Sequence, residues 1–152
     1  SLKQLASTWP DLWECHDDAS YTQLNYPVTN SEKEWADEIH NLSKLVVDGL
    51  KYPYLKAIST SLGCFDPKHQ TIKLLEAILV AKEVNHVEVD GIIAPLKEIQ
   101  LLRTKIAGHR KGDEGKQLIA GLMRKRGSLR DHFRTLVAQT DKALKVLLGL
   151  KF

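Results

Sequence analysis

Arg103 and His109 stand six positions apart in the run Leu101-Leu102-Arg103-Thr104-Lys105-Ile106-Ala107-Gly108-His109-Arg110-Lys111-Gly112. Histidine titrates near neutrality, so it can take and return protons at physiological pH. A guanidinium can hold a phosphate and stabilise charge that develops on it. Together they are the groups that metal-free cleavage of a phosphodiester requires. The same two residue types at a helix end also serve simply to cap carbonyls. Six residues of regular helix turn through about 600°, which sets the two side chains on different faces. Their convergence needs the helix to fail at Gly108, or a second copy of the chain to supply half of the site.

The elements that would position this pair read as helices. Residues 1–30, with Trp9-Pro10, Trp13, Tyr21 and Tyr26-Pro27, keep no sustained period. They are expected to form a loop-rich arm that wraps over the bundle and inserts its aromatics. Residues 31–152 are expected to form one helical domain. Ser31-Glu32-Lys33-Glu34 has the form of a capping box, followed by Trp35, Ile39, Leu42, Val46 and Leu50 at helical spacing. Pro53 and Gly63 bracket a short helix, and Asp66-Pro67 suggests the start of the next, which carries Ile72, Leu75, Ile78 and Leu79. A further long helix is predicted to begin around Gly91 to Ile93, with Pro95 in its first turns and Leu96, Ile99, Leu102 and Ile106 along one face. Residues 112–127, punctuated by Gly112, Gly115, Gly121 and Gly127, read as a basic connector with a short helix at most. Ser128 and Asp131 cap a last helix whose apolar residues include Leu129, Phe133, Leu136, Leu144 and Leu147. The predicted fold is all-α, a bundle of four to five main helices.

At 152 residues the chain fits one domain. No apolar run approaches the roughly 18 residues that would span a bilayer, and no secretory pattern opens the sequence. Two cysteines, Cys15 and Cys64, lack metal-type spacing, so a cytoplasmic location is expected. A start at Ser1 rather than methionine suits a piece or processed product of a larger protein. Net charge is divided unevenly. Residues 1–100 carry 9 Lys/Arg against 15 Asp/Glu, and residues 101–152 carry 13 against 4, so −6 and +9 sum to +3. A basic C-terminal third that contains the Arg/His pair has the footprint of a phosphate-backbone binder. It would also serve to neutralise the acidic part.

Other residues with reactive side chains read as structural. Cys15-His16-Asp17-Asp18 is too contiguous for one tetrahedral metal site without remote partners. His40 and His132 are expected at helix surfaces or boundaries. Trp9, Trp13 and Trp35 could stack bases, but core packing is the commoner use. No Gly-rich phosphate loop precedes the basic region.

A helix that ends in Leu-Arg-x-Lys-Ile-Ala-x-His-Arg-Lys-Gly resembles the HEPN superfamily, which is marked by Arg, four to six residues, then His at a helix end. The likeness is best over residues 92–112. It implies a metal-independent, cofactor-free endoribonuclease of a toxin or bacterial defence system, acting as a homodimer with a composite RNA cleft and held by an antitoxin or by other domains of a larger protein. In that reading His109 is the general acid–base at the ribose 2′-hydroxyl, and Arg103 orients the scissile phosphate. Lys105, Arg110, Lys111, Arg124, Lys125 and Arg126 attract the RNA backbone, with Thr104 and Gly108 in support. Active members usually carry Asn, Asp or His directly after the arginine, where this chain has Thr104. The alternative is therefore an HEPN-like module that binds RNA or dimerises without cleaving.

Overall fold

In a computed structural model that describes residues 2–14, 24–107 and 113–150, the chain is a bundle with seven helices among those residues. They are α1 (Leu2–Thr8), α2 (Glu32–Val46), α3 (Tyr52–Ser61), α4 (Thr71–Ala81), α5 (His86–Ala107), α6 (Asp113–Arg126) and α7 (Leu129–Gly149). The 22-residue α5 is the axis of the fold, packed against α2, α4 and α7 and more lightly against α6. Its buried stripe of Val89, Ile92, Ile93, Leu96, Ile99 and Leu102 joins the core made by the other helices. None of the helices is long and apolar enough to cross a membrane.

The helix starts follow local chemistry, with three departures from expectation. At α2 the Ser31 hydroxyl accepts from the Glu34 N–H, as a capping box requires. The Glu34 carboxylate, however, reaches past Ser31 to the N–H groups of Val28 and Thr29, at 2.7 and 3.0 Å. The Thr29 hydroxyl also donates to this carboxylate, and that bond first, with the two N–H bonds, holds its pKa below the usual carboxylate range. Asp66-Pro67 does not start α4. The Asp66 carboxylate accepts from Lys68 N–H and closes a turn, and the helix begins at Thr71.

α5 begins at His86, between one and two turns before the predicted start, because the Asn85 side chain accepts the Val87 N–H at 2.8 Å. Pro95 therefore lies in the helix interior. It withholds the N–H that would bond the Gly91 carbonyl, a defect of about 3 kcal/mol in an isolated helix. Burial of Ile92, Ile93, Leu96 and Ile99 around it, each about 1.5–3 kcal/mol, more than offsets that loss.

The predicted connector is instead the 14-residue α6. Ile119 is buried, and Leu118 and Leu122 pack on the core, which draws Gly115 and Gly121 into helical conformation. Gly127, at φ +81°, then stops the helix where a side chain would be strained.

The arm contains the helix α1, whose Leu5 is fully buried and which packs against α7. Behind it, Trp13 pairs with Leu50 in an isolated antiparallel bridge: Glu14 N–H donates to the Gly49 carbonyl and Lys51 N–H to that of Leu12, both at 2.9 Å. Further along, the Tyr26 ring meets Phe133 edge to face, and Arg130 donates to the Val28 carbonyl.

Candidate functional site

Arg103 leaves α5 on the side facing α2. Its Nη1 donates to Asp48 Oδ1 at 2.6 Å and to Ser43 Oγ at 3.2 Å. Ser43 is fully buried in the last turns of α2, and Asp48 lies in the turn that follows. The guanidinium thus ties the C-terminal part of α5 to the C-terminal end of α2, where a cation also complements the helix dipole. A phosphate arriving at Arg103 would have to compete with a carboxylate already in contact. The Thr104 hydroxyl donates to the Gln100 carbonyl at 2.9 Å, one turn back in the same helix. Gly108, His109, Arg110 and Lys111 lie outside the described residues, as do Cys15, His16, Asp17 and Asp18.

The remaining basic candidates fall into two places. Lys105 borders a shallow depression between α5 and α6 with Leu101, Gln117 and Leu118. Arg124, Lys125 and Arg126 form the exposed last turn of α6. Arg126 lies eight residues beyond Leu118, about 12 Å of helix.

His132 is not at a surface or boundary. It is 2% exposed, set among Leu129, Phe133 and Leu136 on the buried stripe of α7. The Trp35 indole N–H donates to its Nδ1 at 3.2 Å, and its Nε2 stands 3.1 Å from Glu98 Oε1. An indole can only donate, so Nδ1 must carry the lone pair; in the neutral ring the proton is on Nε2 and points at the carboxylate. Trp35 and His132 also meet edge to face, with ring centroids 5.7 Å apart. The His132 hydrogen bond, aided by Arg126 and Lys125, holds the Glu98 pKa below the usual carboxylate range against partial burial. The i, i+3 and i+7 spacing from Leu129 was the available sign that His132 faces inward.

Glu98 is the outer end of this relay. It opens on a cleft of about 500 Å³ between α5 and α7. Gly91, Ala94 and Pro95 leave space on α5, and Ala143 and Val146 face them from α7. Arg126 and Lys142 stand at its rim with Glu88. An apolar cleft with a few fixed polar groups is the general form of a small-molecule site.

Because its folded pKa is depressed, ionised Glu98 contributes stability above the ordinary glutamate pKa of about 4.3, and the contribution is lost as pH falls through the folded value. The stability difference between wild type and Glu98→Gln should be constant above about pH 5.5 and shrink below about pH 4.5. Urea melts across that range test this; a difference indifferent to pH would exclude the ionised contact. Comparison with family models, with curated proteins and with solved structures finds no match.

Proposed function

We propose that this chain is an HEPN-like helical module that binds single-stranded RNA along its phosphate backbone without cleaving it. The observation that carries this reading is the engagement of Arg103 by Asp48 and Ser43, which gives the motif arginine a structural use inside one chain. Charge supports the RNA half of the reading. All six arginines of the sequence lie between Arg103 and Arg134, and Arg124, Arg126 and Arg134 are exposed around the junction of α6 and α7. Arginine forks pair bidentately with phosphate, and such contacts attract nucleic acid irrespective of base. The same cations complement the α6 dipole, so a binding role must show in salt dependence.

Fluorescence anisotropy with a labelled oligonucleotide in EDTA supplies the test. Wild type should bind and leave the RNA intact, and Arg103→Ala should bind equally well with a lowered melting temperature. Replacing Arg124, Lys125 and Arg126 together by alanine should weaken binding and reduce the slope of log K against log salt by about 2. Cleavage in EDTA that His109→Ala abolishes would overturn the proposal in favour of the nuclease reading. Unchanged affinity in the triple variant would remove the basic turn from it.

A further inference from the structure

We propose that the cleft between α5 and α7 holds a guanine base, recognised through its donor edge by Glu98. The proposal rests on the RNA-binding reading above and names the nucleotide that reading leaves open. Three features point to this occupant. First, a carboxylate is an acceptor only, and one of its oxygens, Oε1, is fixed by His132 Nε2 at 3.1 Å. That imidazole is itself fixed, because its Nδ1 is occupied by the Trp35 indole N–H. Glu98 is therefore presented to the cleft at a set position and as an acceptor.

Second, the pairing edges of the four bases differ in what they offer such a group. Guanine presents two adjacent donors, N1–H and the N2 amino group. Adenine and cytosine each place an acceptor beside their donor, and uracil sets one donor between two acceptors. A fixed carboxylate accepts both guanine donors and repels the acceptors of the other three. RNA-binding proteins commonly read the pairing edges of splayed, unpaired bases in this way.

Third, the walls and rim suit the rest of a nucleotide. Pro95, Ala94, Ala143 and Val146 give apolar surface on which a base can lie, and the volume of about 500 Å³ is within the range of small-ligand sites. Arg126 borders the cleft in the same helical turn as Arg124 and Lys125, and Lys142 lines its α7 side. A guanine seated on Glu98 thus has cations at hand for its phosphates, continuous with the basic turn proposed to follow the RNA backbone.

Isothermal titration of the full chain with GMP, AMP, CMP and UMP tests the assignment. GMP is expected to bind about tenfold or more tightly than the other three. Glu98→Gln should erase that preference, since the amide sets donors against the donors of guanine. Ala94→Trp, at an exposed position that lines the cleft, should block all four nucleotides while the circular dichroism spectrum stays native. Equal binding of the four nucleotides, or no binding of GMP, overturns the proposal. RNA bound through the basic turn with no preference for guanine-containing oligonucleotides would defeat the cleft assignment alone. Selective GMP binding without oligonucleotide binding would defeat the RNA module and keep the cleft as a site for the free nucleotide.

Discussion

His132→Ala is expected to lower the unfolding free energy by about 3–4 kcal/mol and the melting temperature by roughly 10 °C. The loss has separable origins. Removing a fully enclosed imidazole leaves a cavity among Leu129, Phe133 and Leu136, and its edge-to-face contact with Trp35 disappears. The larger part is polar. Trp35 is fully buried, so the indole N–H that donates to Nδ1 would lose its acceptor where water has no access, at about 1–3 kcal/mol. Glu98 is 40% exposed, so solvent can replace the Nε2 donor there and little stability is lost on that side. Trp35→Phe distinguishes these parts, because it removes the donor and nearly keeps the ring. If the indole–imidazole bond matters, the two substitutions should be non-additive by about 1 kcal/mol. Strict additivity, or a loss for His132→Ala below about 1 kcal/mol, would show the relay to be incidental to folding.

The hydrogen bonds of His132 illustrate where sequence reasoning stops, since the spacing from Leu129 points the residue inward but does not say what it meets there. Its partners Trp35 and Glu98 are 97 and 34 positions away, and no local rule connects them. Arg103 is a similar case: its chemistry was legible, but Asp48, 55 residues earlier, decides what the guanidinium does. Features that depend on near neighbours were legible. Trp35, Ile39, Leu42 and Val46 were predicted to share one face of a helix and are all buried, as are Leu96, Ile99 and Leu102. Ser31 and Ser128 both accept the N–H three residues on, because capping is settled within a single turn. The start of α5 and the existence of α6 depart from expectation for one reason. Intrinsic propensity disfavours proline and glycine inside a helix, and burial of the flanking apolar residues outweighs it here. The cleft is invisible in the sequence because it is made from what Gly91, Ala94 and Ala143 lack, on helices whose pairing only the fold reveals.

Gly49→Ala is expected to destabilise the protein by about 3 kcal/mol, although the change adds a single methyl group. The cause is a close approach. A Cβ at residue 49 would fall on the Trp13 indole and 2.8 Å from the Glu14 carbonyl oxygen. Trp13 is 1% exposed in the core, and the backbone on either side is fixed by the Glu14–Gly49 and Leu12–Lys51 hydrogen bonds. Neither the ring nor the chain can yield without opening that bridge. Relief therefore comes by lifting the segment around Trp13, which would loosen the attachment of α1 and its buried Leu5 to α7. The measurable signs are a lowered melting temperature, a red-shifted tryptophan emission and earlier proteolysis near the N-terminus. The test also bears on function. The contacts of the arm's described residues lie on α2, on Gly49, Leu50 and Lys51, and on α7, and none of those residues lines the cleft at Glu98. Below its own melting temperature, Gly49→Ala should thus keep any nucleotide selectivity that Glu98→Gln removes. If both variants lose it together, the selectivity depends on the bundle as a whole and not on the carboxylate. If Gly49→Ala melts like wild type with unchanged emission, the packing of Trp13 over residue 49 is looser than the geometry requires.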